Sequence, residues 1–236
     1  MISNSNNESH SGKRIVNMVL FSRGAEYDEM YKITQEYYKR FNNVLTIYYL
    51  FSGEDGEPYL DGDFLYLPGK ESYLPGILDK TMATFSYVWK NYPNYDYYIR
   101  TNASTIVDIN MLIKHVNNES IEYGGGILHI RSGHYDPPCG IDDDRYSGIA
   151  YVWGTAIFFS NHIFKKIVDH SCQIDRTVID DVSIGKLAKE LEIKATPLSL
   201  VHSVEFPIIH KPIIYRNHSD DRNHDIQRMR EIVKRI

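Results

Sequence analysis

Polar and charged side chains recur where apolar runs of this sequence end, and they are the first candidates for chemistry. The apolar run 97–99 is followed by Arg100, Asn102 and Ser104. In an α/β sheet, ligands bind beyond the carboxyl ends of the strands, so these three side chains would stand at the mouth of a site. Further candidates lie near the ends of later predicted elements: Asp108, the glycines at 124–126, Trp153, Gly154, Asp180, Asp181, His202 and His210.

Asp180 and Asp181 stand directly before an amphipathic segment at 182–191. This position predicts two carboxylates at a helix N-terminus, where they are favoured as caps and by the helix dipole. A carboxylate directed from a helix start into a cleft can also act as a general base. Sequence spacing leaves both interpretations open, and the sequence contains no nucleophilic triad, phosphate-binding P-loop or HExxH zinc spacing.

The elements that must position these residues have the pattern of an α/β fold. A strand at 14–21, a helix at 26–43 and a strand at 45–51 form a βαβ unit, which predicts a parallel sheet. The remaining predicted strands are 63–67, 97–105, 121–131, 149–159 and 196–206, and the remaining helices are 71–91, 106–116, 161–169, 182–191 and 225–236. We therefore expect a mostly parallel central sheet with helices on both faces.

Size and composition limit the organisation and the partners of the chain. Its 236 residues are enough for one domain, expected at 13–236 behind a disordered, Ser/Asn-rich tail at 1–12. The net charge of -5 provides no basic surface for nucleic acid, and no apolar run is long enough to span a bilayer. The two cysteines fit neither a disulfide framework nor a zinc site, and no apolar signal segment is visible, so the expected location is the cytoplasm. The oligomeric state is left open.

Four segments between residues 70 and 205 occur in an order that resembles the β-1,3-galactosyltransferase and Fringe group of glycosyltransferases, which have the GT-A fold. The first contains Leu78, Lys80 and Thr81, and the second is the strand and turn at 98–106. The third begins with Trp153 and Gly154, the fourth is the run Asp-Asp-Val-Ser-Ile-Gly at 180–185, and a His-Ser pair follows at 202–203. Lys80 stands alone on a predicted helix, where a lysine more often faces solvent, so only the resemblance gives it a role.

The resemblance implies an inverting glycosyltransferase of the hexosyl- or N-acetylhexosaminyltransferase type. Its donor would be a nucleotide-diphosphate sugar, with a UDP-sugar expected, and its acceptor would be a glycan, a lipid-linked sugar or a protein. Asp181 is the expected general base, with Asp180 as the second choice. The residues expected to bind the donor are Phe21, Ser22, Arg23, Lys80, Arg100, Thr101, Asn102, Ser104 and His202. Those expected to bind the acceptor are Gly125, Trp153 and Gly154.

The sequence departs from this family at the metal-binding Asp-x-Asp, which corresponds here to Asn102, Ala103 and Ser104. A divalent cation prefers several charged oxygen ligands, for which neutral Asn and Ser are poor substitutes. We therefore expect no required cofactor, or only weak dependence on Mn²⁺ or Mg²⁺, or else a protein that has lost activity. Positive charge for the leaving diphosphate would come from Arg100, Lys80, His202 or backbone amides.

Two other interpretations remain at the level of sequence. A non-catalytic sugar- or nucleotide-binding domain derived from the same fold would explain the missing carboxylates, whereas Asp180 and Asp181 favour catalysis. A nucleotidyltransferase is disfavoured, because such enzymes also rely on a carboxylate-held metal and on a glycine-rich, basic loop early in the chain. The aspartates at 142–144 could ligate a metal, but an acidic triplet in a loop is more often a solvated turn.

Overall fold

The computed structural model describes residues 12–202 and 211–236. The predicted tail falls almost wholly outside these residues, as do His210 and the end of the strand predicted at 196–206. The strands are β1 (Ile15–Leu20), β2 (Val44–Phe51), β3 (Tyr59–Asp61), β4 (Phe64–Leu67), β5 (Tyr97–Asn102), β6 (Thr105–Val107), β7 (Tyr123–His129), β8 (Ala150–Ser160), β9 (Thr196–Pro197), β10 (Leu200–His202) and β11 (Ile214–Arg216). The helices are α1 (Ala25–Tyr38), α2 (Gly76–Asn91), α3 (Ile109–Asn118), α4 (Asn161–Asp169), α5 (Asp180–Glu190) and α6 (Arg222–Val233).

Eight strands form the central sheet, in the order β3-β4-β2-β1-β5-β8-β7-β9. Only β3 and β8 run against the others, so the predicted α/β fold with a mostly parallel sheet is confirmed. The parallel strands β2 and β5 lie on opposite sides of β1. Because the winding of the chain reverses at this point, the carboxyl ends of β1 and β5 border a crevice of the kind in which α/β proteins bind ligands.

Two further elements bring polar residues to the same end of the sheet. Strand β8 is antiparallel to β5, with Thr101 opposite Ala156, so the first half of β8 lies beyond the carboxyl end of β5. A small second sheet has the order β10-β11-β6. In it β11 is antiparallel to β6, which places Arg216 opposite Thr105. Residues distant in sequence therefore meet beyond Asn102.

Helices cover both faces of the central sheet. Helices α1, α3 and α6 bury residues such as Met30, Leu112 and Met229 on one face. Helices α2, α4 and α5 bury residues such as Phe85 and Leu187 on the other. Coverage on both sides explains why β1 reads as a continuous apolar run: Ile15 to Val19 are all buried. None of the helices in the described ranges is long and apolar enough to cross a bilayer.

Several boundaries differ from the prediction. Helix α1 ends at Tyr38 rather than at 43, and a turn after Tyr38 leads into β2. Helix α2 begins at Gly76 rather than at 71, because Pro75 lacks an amide hydrogen and occupies the N-cap position. The predicted central strand 97–105 is divided, since the chain leaves the main sheet after Asn102 and enters the small sheet at Thr105.

Two predicted site features have structural roles. Asp108 caps α3, because its side chain accepts a hydrogen bond from the amide of Met111 at 3.0 Å. Gly125 lies at a bulge in β7 with a φ of +153°, and a Cβ there would meet Val152 Cγ1 and the carbonyl oxygen of Ala156 at 2.4 Å. Close backbone packing therefore accounts for this glycine.

Gly185 controls how closely α5 approaches the sheet. A Cβ at this position would lie 2.3 Å from Tyr151 Cβ and 2.9 Å from Tyr151 Cα on β8. No real side chain tolerates such distances, and atoms next to the backbone cannot swing away. The glycine therefore lets the N-terminus of α5, with its two aspartates, rest close to β8.

Gly185→Ala is accordingly expected to push α5 away from β8. Overpacking of this kind costs about 1–3 kcal/mol of stability, and a lower melting temperature would reveal it. Lys189→Ala, at an exposed position on the same helix, is the matched control and should melt like the wild type. An unchanged melting temperature in Gly185→Ala would mean that α5 tolerates the added methyl group without moving.

Candidate active site

A cavity of about 630 Å³ opens at the carboxyl ends of β1 and β5. The residues at 102–104, in the break between β5 and β6, line it together with residues from β8 and the start of α5. The predicted site residues that line this cavity are Ser22, Lys80, Arg100, Asn102, Ser104, Trp153, Gly154, Asp180 and Asp181. Most of the predicted site is therefore brought together in one place.

Arg100 and Asp180 form a buried ion pair at the cavity. Arg100 Nη2 donates to Asp180 Oδ2 at 2.6 Å, and the two side chains are only 2% and 4% exposed. Arg100 Nη1 donates to Asn102 Oδ1 at 2.7 Å and to the carbonyl oxygen of Gly154. Thr81 Oγ1 also donates to Asp180, at 3.3 Å. Asp180 Oδ2 is therefore occupied by two donors from within the protein.

Asp181 is in a different electrostatic setting from its neighbour. Its Oδ2 accepts the amide of Gly154 and its Oδ1 the amide of Val182, each at 2.8 Å. Burial, followed by the charge of Asp180, raises the pKa of Asp181 to about 6. A carboxylate with this pKa is ionised at neutral pH and still basic enough to take up a proton, which is what a general base requires.

The start of α5 places this carboxylate inside the first turn and not at the N-cap position. The helix begins at Asp180, and Ile179 occupies the N-cap position. Both aspartates thus lie in the first turn, where the helix dipole alone would lower a carboxylate pKa. Since the pKa of Asp181 is raised instead, burial outweighs the dipole. The prediction that the two residues merely cap the helix does not describe the structure.

Asp175 fixes the turn that leads into α5. Its side chain accepts a hydrogen bond from Lys186 Nζ at 2.7 Å, and its carbonyl oxygen accepts one from Ser183 Oγ at 2.7 Å. Burial opposes ionisation of Asp175, but the hydrogen bonds from Lys186 and Thr177 outweigh it and hold its pKa well below the usual range. Lys186 and Ser183 belong to α5, so their hydrogen bonds tie the turn to the helix that carries Asp181.

Lys80 is buried, so the interpretation of a solvent-facing lysine is wrong. The side chain is 1% exposed, and its Nζ donates to the carbonyl oxygen of Phe21 at 3.1 Å and to both carboxylate oxygens of Glu71 at 2.8 Å. Burial lowers the pKa of Lys80, although Glu71 opposes this shift. Because Glu71 already balances its charge, Lys80 offers a ligand less positive charge than its position suggests.

Three residues of the chain's last part complete the cavity wall: Arg216, His218 and Arg222. Arg216 Nη1 donates to Ser104 Oγ at 2.5 Å, whereas Arg222 is paired with Asp225 at 3.1 Å. Burial lowers the pKa of His218, and the positive charges of Arg216 and Arg222 lower it further. This side of the cavity is therefore positively charged.

Comparison with known proteins gives two results. A model of the galactosyltransferase family matches residues 54–199, which is more than half of the chain. The chain belongs to the galactosyltransferase family. Its structure is similar to the crystal structure of a glycosyltransferase involved in the glycosylation of the major capsid of PBCV-1. That match has a TM-score of 0.51 and 9% sequence identity, and it covers 92% of this chain and 99% of the other.

At so low an identity the structural likeness bears on the fold, and it confirms the GT-A-like architecture expected from the sequence. No curated protein matches the chain by sequence. The family match also confirms that the protein is a glycosyltransferase. A glycosyltransferase binds a sugar donor and an acceptor, so the cavity must accommodate both substrates.

Two predicted donor-binding residues are packed inside the glycosyltransferase instead of lining its cavity. The ring of Phe21 is 1% exposed and packs edge-on against Phe64, so only the backbone of Phe21 reaches Lys80. Thr101 is fully buried, and its hydroxyl donates to Asn17 Oδ1 at 3.1 Å. Successive side chains of a strand point to opposite faces, which is why Thr101 turns away from the site of its neighbours.

Three more predicted residues lie outside the cavity lining. Arg23 is exposed and places its guanidinium 5.8 Å from the centre of the Tyr66 ring. His202 stacks on Trp153 at 5.4 Å between ring centres, so it borders the site through that contact. Gly125, predicted to bind the acceptor, lies in the bulge of β7 and packs against β8.

Many enzymes of this fold hold the diphosphate with a divalent metal ion. The residues at 102–104 are poorly suited to bind such an ion. The only side-chain ligands there are the neutral oxygens of Asn102 and Ser104. Each oxygen already accepts a hydrogen bond from a guanidinium, that of Arg100 or of Arg216. A cation bound to these oxygens would face two positive charges, and hard cations prefer carboxylates.

The acidic residues at 142–144 do not offer an alternative metal site. Asp142 and Asp143 pair with Arg145 at 2.7 and 3.0 Å, and Asp144 accepts the amide of Gly133 at 2.7 Å. The solvated-turn interpretation of this loop therefore fits the structure. Within residues 12–202 and 211–236, no group of three or more His, Cys, Asp or Glu side chains is arranged to hold a metal.

The sequence prediction missed the positive wall, although a signal for it exists. The short apolar run 213–215 is followed by Arg216, Asn217 and His218, the same pattern that identified the residues after 97–99. Strand β11 and its pairing partner β6 have only three residues each, so neither reads as a strand from the sequence. Tyr27, Glu71 and Tyr73 also line the cavity and carry no comparable signal.

Proposed function

We propose that this glycosyltransferase is an inverting enzyme that moves a sugar from a nucleotide-diphosphate donor, a UDP-sugar, to a hydroxyl group. The acceptor would be a glycan, a lipid-linked sugar or a protein. The observation that carries the proposal is the carboxylate of Asp181, which lines the cavity and has a raised pKa. Within the described ranges its hydrogen-bond partners are the backbone amides of Gly154 and Val182. A cytoplasmic location stays a prediction.

In the proposed reaction Asp181 takes the proton of the acceptor hydroxyl as its oxygen attacks the anomeric carbon. The bond between that carbon and the diphosphate oxygen breaks on the opposite side, and the nucleoside diphosphate leaves with the electron pair. Inversion follows because attack and departure occur on opposite faces of the sugar. Gly154 positions the base, since its amide donates to Asp181 while its carbonyl accepts from Arg100.

Asp180 has a positioning role in this scheme. Its pairing with Arg100 fixes the first turn of α5, and Arg100 in turn holds Asn102. Donor binding is assigned to the side of the cavity formed by Ser22 and residues 102–104, because a donor there would lie at the reversal point between β1 and β5. Trp153 lies next to the base, where a flat aromatic face suits a sugar ring of the acceptor.

A donor panel tests this function directly. The purified protein is incubated with UDP-, GDP- and TDP-sugars in Mn²⁺ and in EDTA, and release of the nucleoside diphosphate is measured with and without candidate acceptors. We expect turnover of one donor, a UDP-sugar, that survives EDTA. Strict dependence on Mn²⁺ would contradict the expected metal independence. Donor binding without turnover under any condition would favour a non-catalytic nucleotide-sugar-binding domain.

The pH dependence of turnover is a separate expectation. Since Asp181 must be ionised to take up a proton and its pKa is raised to about 6, the rate should rise with pH and reach half of its plateau near that value. At pH 5 the rate at saturating donor is expected to be about tenfold below the plateau. A rate that stays flat between pH 5 and 7 would indicate that this carboxylate is not the base.

A further inference from the structure

Arg216 differs from the other cationic residues that line the cavity. It ends strand β11, lies opposite Thr105 in the small sheet and donates from Nη1 to Ser104 Oγ at 2.5 Å. The amide of Asn217 donates to the carbonyl oxygen of Ser104 at 3.0 Å, which ties the end of β11 to the same turn. The backbone thus holds the Arg216 guanidinium beside Ser104, a position that the sequence resemblance matches to the family's metal-binding Asp-x-Asp.

Asp225 acts on the charge of Arg216 from beyond ion-pair distance, because it pairs with Arg222 instead. Lys80 is paired with Glu71, Arg100 with Asp180 and Arg222 with Asp225. Among the ion pairs of the described residues, none includes Arg216, and its Nε is buried without a hydrogen-bond partner. A partly buried charge without an ion-pair partner is costly, so an anion that enters the cavity would be attracted to the Arg216 guanidinium.

The surroundings strengthen this preference for an anion. Burial lowers the pKa of Arg216 to about 10, with further lowering by Arg222 and Arg100, so the group is strained electrostatically yet still charged at neutral pH. His218 and Arg222 lie on the same wall. A planar guanidinium can bind two phosphate oxygens at once, which matches the diphosphate of a nucleotide sugar.

We propose that the Arg216 guanidinium binds the diphosphate of the donor and stabilises it as it leaves, in the place that a divalent cation occupies in metal-dependent relatives. The proposal rests on the function proposed above, because it takes the diphosphate donor from it. It assigns the positive charge to β11, whereas the sequence had suggested Arg100, Lys80, His202 or backbone amides. Arg216 fixes the departing charge on one side of the sugar, while Asp181 acts on the other.

Calorimetric titration of the whole protein with UDP, with inorganic pyrophosphate and with uridine, all in EDTA, tests the assignment. We expect the wild type to bind UDP without metal and Arg216→Gln to bind it about 10- to 100-fold more weakly, as for the loss of charge-assisted hydrogen bonds. Pyrophosphate binding should weaken in parallel, whereas uridine affinity should stay the same, because uridine has no phosphate. Arg230→Gln removes one exposed positive charge from α6 and is expected to behave like the wild type.

Arg216→Lys guards against a folding defect in Arg216→Gln. It keeps the charge and loses the planar fork, so it should bind UDP with an affinity between those of the wild type and the glutamine variant. Equal UDP affinity in the wild type and both Arg216 variants would overturn the proposal, as would UDP binding that requires Mn²⁺.

The same variants separate failure of this inference from failure of the proposed function. Donor turnover would confirm the transferase function. If that turnover needs Mn²⁺, or is the same in Arg216→Gln as in the wild type, Arg216 does not have the proposed role. Binding of UDP that depends on Arg216, with no turnover of any donor by the wild type with any acceptor, would keep the diphosphate site and contradict the proposed reaction. Absence of UDP binding under all conditions would overturn both.

Discussion

Asp181→Asn is expected to lower the rate of sugar transfer by about 10²- to 10⁴-fold, the range typical of a lost general base. An amide cannot accept the proton of the acceptor hydroxyl, but it has nearly the shape of the carboxylate. The asparagine oxygen can still accept the amide of Gly154, whereas its NH2 group cannot accept the amide of Val182. Donor affinity should therefore stay close to that of the wild type, and the loss should fall on kcat.

The stability of the same variant provides an internal check. The folded-state pKa of Asp181, about 6, lies above its ordinary value of 3.8, so the folded protein binds a proton there more readily than the unfolded chain does. Stability from this group is thus greatest at low pH and is lost as the pH rises through about 6. At neutral pH the ionised carboxylate opposes folding, and the neutral amide removes that opposition.

Asp181→Asn should consequently melt close to the temperature of the wild type at pH 7.5, because the removed buried charge offsets the lost hydrogen bond from Val182. Measurement of kcat, donor affinity and melting temperature on one preparation separates lost chemistry from lost structure. Asp169→Asn, an exposed position at the end of α4, is the matched control and should leave all three unchanged. Retention of the wild-type kcat in Asp181→Asn would remove this residue from the mechanism and leave the base unassigned.

The predicted fold followed from patterns that reflect burial. Central strands covered on both faces must be apolar throughout, so β1 and β8 are visible in the sequence, and the apolar faces of α2 and α6 repeat at helical spacing. The polar residues after β5 were located by the rule that ligands bind beyond strand carboxyl ends. The pair at 180–181 was located from its position directly before a predicted helix.

What the sequence could not provide depends on contacts between distant segments. Lys80 is buried because Glu71 and the carbonyl oxygen of Phe21 receive its ammonium group, and neither partner is visible from helical spacing. The alternation of side chains along β5 removes Thr101 from the site, which depends on the register with β1. Arg216 reaches Ser104 only because β11 pairs with β6, more than a hundred residues earlier in the chain.

Asp180→Asn is expected to have the opposite profile from the change at its neighbour. Arg100 is 2% exposed and would lose the only carboxylate that pairs with it in the described structure, while its guanidinium remains buried. Removing one partner of such a pair costs about 3–5 kcal/mol, because the remaining charge is left uncompensated. The variant should therefore melt well below the wild type, even though asparagine can still accept hydrogen bonds from Thr81 and Arg100.

The substitution should also change the titration of Asp181. The charge of Asp180 is one of the causes that raise the pKa of Asp181, and its removal leaves the positive charge of Arg100 to act on Asp181 alone. Both effects lower that pKa, so the acid limb of the rate profile is expected to move below about pH 6.

Thermal melting and a pH series of kcat, recorded at a temperature where the variant is folded, measure the two effects. Asp142→Asn breaks an exposed pair with Arg145 and is the control, for which neither quantity should change, because exposed pairs contribute little. A stable Asp180→Asn variant with an unshifted acid limb would show that Arg100 needs no carboxylate partner and that the two aspartates do not interact. If the variant is destabilised but the acid limb of its rate profile does not move, the pair stabilises the fold and Asp180 does not affect the pKa of Asp181.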